Sequence, residues 1–130
     1  MNKLFLFCRV SVSPVRSEEK DSSEMVTQFL FGELALLLEQ SEKWLRVQSL
    51  EDDYIGYVDP KQFIAISELE KENWKIGRKR FFQSVTLKTP RETMILPAGC
   101  FVKSNFSINN QLYSIQKEEQ FFSDWKHYAL

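Results

Sequence analysis

The chain is short of the residues that most chemistry needs. It has one histidine, His127, and two cysteines, Cys8 and Cys100, in 130 residues. A single imidazole and two widely separated thiols exclude the paired spacing of a zinc site, so no metal and no cofactor is expected. Four glycines and four prolines are too few for a fibrous or low-complexity chain. Long apolar runs are also missing, and none approaches the ~20 residues needed to span a bilayer. The run Leu4-Phe5-Leu6-Phe7-Cys8 stops at Arg9, short of the ~7–15 apolar residues of a leader segment, and is read as a first strand. Excess charge of one sign is absent, because the net charge is −1. Nucleic acid is therefore excluded as an expected partner.

What is present is hydrophobic and aromatic. The apolar fraction is 43%, enough to build a core, and eleven phenylalanines fill a small interior with few residues. Both cysteines lie among apolar residues and read as buried free thiols rather than a disulfide. Charge is uneven along the chain: residues 1–65 carry 7 basic and 11 acidic groups, residues 66–130 carry 10 and 7. Two halves of opposite sign either dock on each other or mark two units, and the second reading is preferred. The one cationic cluster, Lys75, Arg78, Lys79 and Arg80, reads as a solvated approach to a strand.

The pattern along the chain is that of strands and turns. Leu4 to Val12 reads as one strand ending at Pro14, followed by an exposed polar loop from Ser17 to Ser23. Met25 to Phe31 closes in a turn at Phe31-Gly32-Glu33. Leu34 to Leu38 is an apolar run that suits strand or helix, and the turn signals on either side favour a strand. In Trp44 to Gln48, Trp44 is taken as inward, which puts Arg46 and Gln48 on its face. Asp52-Asp53 is a turn, Tyr54 to Val58 a strand, and Asp59-Pro60 opens a single helical turn. Ser67 with Glu70 forms a capping-box pattern ahead of a short charged helix to Trp74, read as a linker.

The second half reads as a degraded copy of the first. Lys79 to Leu87 before Thr89-Pro90 parallels Val10 to Pro14. Met94 to Gly99 parallels Phe29 to Gly32. Cys100 to Phe106 and Gln111 to Ile115 flank a hairpin turn at Asn109-Asn110, since Asn tolerates positive φ. Glu118 to Leu130 is aromatic-rich and expected to complete the second unit or pack across the pair. The expected fold is mainly β: tandem small barrels, with units at 1–65 and 77–130 and a helical linker at 66–76.

The first half carries a more specific pattern. It runs Val15-Arg16-Ser17-Glu18, then Ser23-Glu24-Met25-Val26-Thr27-Gln28, Phe31-Gly32-Glu33 and Lys43-Trp44-Leu45. It ends with Asp52-Asp53-Tyr54-Ile55-Gly56-Tyr57-Val58-Asp59-Pro60-Lys61-Gln62. Over residues 9–63 this resembles the N-terminal bacterial SH3 (SH3b) region of NlpC-type γ-D-glutamyl-L-diamino acid endopeptidases, of the dipeptidyl-peptidase type. Tyr57 departs from the tryptophan more usual there. The resemblance implies that the tandem small barrels are SH3-like, an SH3b domain at 1–65 and a second, divergent one at 77–130. It implies that the chain is a non-catalytic targeting or substrate-recognition module of a murein-peptide cysteine peptidase. It also implies two ligand-binding residues at the free amino end of the peptide's L-Ala: Glu24 to pair with the ammonium and Tyr54 to orient it. The implied partner is murein peptide or a C-terminal or other peptidase domain. The lack of a leader-like segment favours the cytoplasm, where such enzymes recycle wall fragments, with the cell envelope as the alternative.

The catalytic part of such enzymes needs a thiol of lowered pKa beside a base. Cys8 precedes Arg9 and Cys100 precedes Phe101, both in strand-like runs, so no catalysis by this chain is expected. The alternative reading is a stand-alone SH3-like protein-interaction module. It needs exposed aromatics in the loop after the first strand, and Ser17 to Ser23 contains none.

Overall fold

The computed structural model describes residues 3–19 and 25–116. Within them the chain is mainly β, as the sequence pattern requires. Six strands and a seventh form the first sheet: β1 (Phe5–Cys8), β2 (Val12–Arg16), β3 (Met25–Leu30), β4 (Leu34–Gln40), β5 (Leu45–Ser49), β6 (Ile55–Val58) and β7 (Phe63–Ile66). Their hydrogen-bonded order is β3-β2-β6-β5-β4-β1-β7. A single helix, α1 (Glu68–Lys75), leads to β8 (Lys79–Arg80), β9 (Val85–Lys88), β10 (Thr93–Leu96), β11 (Phe101–Val102), β12 (Asn105–Ile108) and β13 (Gln111–Gln116). These form a four-stranded sheet, β10-β9-β13-β12, and the pair β11-β8.

The pairing of the first half recurs in the second. The order β3-β2-β6-β5 reappears as β10-β9-β13-β12, and the β1–β4 pair as β8–β11. The glycine corners match atom for atom. In the first, the Gly32 amide donates to the Cys8 carbonyl and the Cys8 amide to the Glu33 carbonyl, both at 3.0 Å. In the second, the Gly99 amide donates to the Phe81 carbonyl at 2.7 Å and the Phe81 amide to the Cys100 carbonyl at 3.0 Å. Both corners need a left-handed residue, φ 84° at Gly32 and 101° at Gly99, which glycine adopts without a Cβ penalty. One difference follows the glycine corner. β4 has seven residues and pairs with β5, whereas β11 has two. Helix α1 lies along that shortened corner. Lys103 Nζ donates to the Asn73 carbonyl at 2.8 Å, and the Trp74 and Phe106 rings are 4.8 Å apart.

Several turns form where the sequence places them. Asn109 and Asn110 take φ 50° and 64°, the left-handed pair of a two-residue hairpin between β12 and β13. Asp59 caps a short 3-10 turn, its Oδ1 accepting from the Lys61 amide at 2.9 Å. Ser67 Oγ accepts from the Glu70 amide and so caps α1. The reciprocal half of the capping box is not made; Glu70 Oε2 accepts instead from the Asn109 amide at 2.9 Å, tying helix to hairpin.

Other expectations are corrected. Leu4 to Val12 is two strands, broken at Arg9–Ser11, and Pro14 lies inside β2. The break is held by Arg9, whose backbone amide and Nε donate to the Gln62 and Lys61 carbonyls. Lys79 to Leu87 and Cys100 to Phe106 likewise each divide between two sheets. Trp44 is not the inward residue of its strand. Leu45, Val47 and Ser49 are buried, while Trp44, Arg46 and Gln48 share the half-exposed face. With a side-chain period of two, the apolar Leu45 and Val47 decide which face turns in. Of the adjacent Phe81 and Phe82, Phe81 is buried and Phe82 is exposed; the aromatic-rich 118–130 segment lies outside the described residues.

Two apolar clusters result. Leu6, Cys8, Val15, Phe29, Ala35, Leu45, Val47, Val58 and Phe63 fill the first half. The other side of β1, Phe5 and Phe7, joins Phe31, Leu34, Ile66 and Trp74 to Phe81, Leu87, Leu96, Val102 and Phe106 of the second. β1 is therefore buried on both faces, which explains why Phe5-Leu6-Phe7-Cys8 has no polar alternation.

Candidate functional site

A small cleft opens at the end of the first sheet, between β3 and the turn that joins β5 to β6. Val15, Thr27 and Gln28 line it from β2 and β3, Glu33 from the β3–β4 corner, and Ser49, Glu51, Asp52 and Tyr54 from β5 and the turn that follows it. The turn is built by short local bonds. Ser49 Oγ accepts from the Glu51 amide at 3.0 Å, Asp52 Oδ1 accepts from the Tyr54 amide at 3.2 Å, and the Ser49 amide donates to the Tyr54 carbonyl at 2.9 Å. Asp53 turns the chain with φ 63°, a conformation Asp tolerates better than most residues. Gly56 lets β6 pass against β2, since a Cβ there would lie 2.4 Å from Val15 Cγ1.

Of the two sequence-derived ligand residues, Tyr54 lies in this cleft with 42% of its surface exposed. Glu24 lies outside the described residues; it directly precedes β3, whose Thr27 and Gln28 line the cleft.

Two carboxylates of the cleft were not singled out from the sequence, and both reach across to the second half. Glu51 Oε1 and Oε2 take Arg78 Nη2 and Nη1 at 2.9 and 3.1 Å, and Oε2 also accepts from the Leu34 amide at 3.0 Å. Glu33 Oε2 pairs with Arg80 at 3.2 Å, while its Oε1 accepts from the Leu30 amide at 2.7 Å. The two guanidinium groups lie over the Phe101 ring, 3.8 and 4.1 Å from its centroid. The expected solvated cluster is corrected at Arg78 alone: Lys75, Lys79 and Arg80 are exposed, whereas the Arg78 side chain is only 11% exposed, because its charge is spent on Glu51 rather than on water. The opposite charges of the two halves were the signal for these pairs. Burial raises the Glu33 carboxyl above the ordinary 4.5, outweighing the Leu30 amide and Arg80, which lower it.

A second, more open hollow lies on the second half, between Lys88, Pro90, Phe106, Leu112 and Tyr113. Its lining is mainly apolar, and it carries no carboxylate.

Both cysteines are free and buried. Burial pushes the Cys8 thiol up to about 12 and the Cys100 thiol up to about 11, the reverse of what a nucleophile requires. His127 lies outside the described residues. Among the described residues no group of three or more His, Cys, Asp or Glu is placed to hold a metal, and no helix is long and apolar enough to cross a membrane.

The cleft, its turn and the Gly32 corner all fall in one stretch of sequence that is similar to a known family. Residues 15–63 match the family model of the bacterial dipeptidyl-peptidase Sh3 domain. The match runs from Val15 in β2 through β6 to Phe63, where β7 begins, and so contains every cleft residue named above. No curated protein matches the chain. The matched family is an SH3 domain of dipeptidyl-peptidases, which suggests a peptidase-associated binding module.

Proposed function

We propose that this chain is the substrate-recognition part of a murein-peptide cysteine peptidase of the NlpC type, and that its SH3 segment receives the free amino end of the peptide's L-Ala. The observation that carries the reading is the dipeptidyl-peptidase SH3 match over residues 15–63. The cleft supports it by gathering Tyr54, Asp52 and Gln28 in one lining, a phenol, a carboxylate and an amide among them. An ammonium group needs a carboxylate and neutral oxygen acceptors around it, and Glu24 supplies the charge in this reading. Bond cleavage belongs to a separate peptidase domain, because burial keeps both thiols of this chain protonated. Two free thiols suit a reducing compartment, and we place the chain in the cytoplasm.

The test is calorimetric titration of the chain with L-Ala-γ-D-Glu-diaminopimelate and with its N-acetyl form. The free amine binds at least tenfold more tightly than the acetylated peptide, and both Tyr54→Phe and Glu24→Gln shrink that ratio. Equal affinity for the two peptides overturns the proposal.

A further inference from the structure

The turn that presents Asp52 and Tyr54 is not anchored by the first half alone. Its apex is Glu51, and both oxygens of that carboxylate are held by Arg78, which lies beyond the helix. The restraint is passed along the turn by consecutive short contacts. The Glu51 amide is fixed to Ser49 Oγ at 3.0 Å, the Asp53 amide to the Ser49 carbonyl at 3.0 Å, and the Tyr54 amide to Asp52 Oδ1 at 3.2 Å. Arg78 is itself fixed twice more, by the Gly32 carbonyl at 3.3 Å and by stacking on Phe101. A planar fork seated on both oxygens defines direction as well as charge.

We infer that Arg78 is a positioning residue for the Tyr54 cleft: the second half orients the ligand-facing turn of the first through Glu51. The inference rests on the cleft being the ligand site. It makes the second half part of recognition without touching the ligand. It also makes the effect one-sided. The β2–β3 side of the cleft, Val15 and Thr27, is held by direct strand pairing and takes no hydrogen bond from Arg78, whose bonds to the first half go to Glu51 and to the Gly32 carbonyl past the end of β3.

The experiment compares wild type, Arg78→Gln, Arg78→Lys and Glu51→Gln by amide hydrogen exchange and by affinity for L-Ala-γ-D-Glu-diaminopimelate. Glu51→Gln keeps an acceptor for the Leu34 amide, so it serves if the Arg78 variant does not fold. The expected result is at least tenfold faster exchange at Glu51, Asp53 and Tyr54 in Arg78→Gln and Glu51→Gln, with Thr27 unchanged. Peptide affinity falls severalfold in step, and Arg78→Lys recovers part of both. Unchanged exchange in the turn overturns the inference, as does an equal rise at Thr27, which marks general loosening. A loosened turn with peptide affinity unaltered in these variants and in Tyr54→Phe refutes the ligand reading itself, while leaving the mechanical link in place.

Discussion

Replacing Trp74 tests whether the two halves share one core. The indole is 2% exposed and its Nε1 donates to the Gly32 carbonyl at 2.7 Å. Its ring centroid lies 5.0 Å from that of Phe7 in β1 and 4.8 Å from that of Phe106 in β12. Trp74→Ala removes all of this and is expected to cost about 3–5 kcal/mol. Trp74→Phe keeps an aromatic ring but loses the N–H. Gly32 then retains only Arg78 Nη1 at 3.3 Å, and the expected cost is about 1–3 kcal/mol for the weakened acceptor. With a urea m-value of about 1–3 kcal/mol/M for a small protein, the alanine variant's midpoint falls by roughly 2 M. The assay is urea unfolding followed residue by residue in heteronuclear NMR, with Leu6 reporting the first half and Leu87 the second. If the core is shared, both residues lose their folded signals at the same lowered midpoint. A variant in which Leu87 unfolds early while Leu6 keeps the wild-type midpoint refutes the reasoning.

Two further outcomes follow from buried ionisable groups. Burial raises the Glu33 carboxyl above 4.5, so ionising it costs stability in the folded state. The favourable contribution of its protonated form is complete below the ordinary carboxylate value and is lost as pH rises through the raised folded value. Glu33→Gln, which keeps an acceptor for the Leu30 amide, therefore gains on wild type as the pH of a thermal melt goes from 4 to 7; a constant difference contradicts this. Cys8 and Cys100, held near 12 and 11 by burial, are expected to resist iodoacetamide at pH 8 for as long as the chain is folded and to react readily in urea. Mass spectrometry showing fast labelling of either thiol in the native protein rules that out.

Much of the fold is written locally. Gly32, Asn109-Asn110, Asp59-Pro60 and Ser67 each dictate a turn or cap through their own backbone preferences, and each appears where expected. Strand breaks at Arg9 and between Arg80 and Val85 were not legible, because they are set by distant carbonyls and by a change of sheet rather than by Gly or Pro. The face of β5 was misassigned because Trp44 is the largest residue in its stretch, whereas the decisive pair, Leu45 and Val47, alternates out of phase with it. For the site, the motif pointed to Tyr54 and the structure adds its surroundings. Glu33 and Glu51 stayed hidden because their arginine partners lie 47 and 27 residues away. Only the opposite charge of the halves hinted at them.

The most direct measurement of the central claim maps amide shift changes on the labelled chain as L-Ala-γ-D-Glu-diaminopimelate is added. Changes concentrated at Thr27, Gln28, Asp52 and Tyr54 are the expected result. Changes centred instead on Phe106, Leu112 and Tyr113, or none at saturating peptide, contradict it.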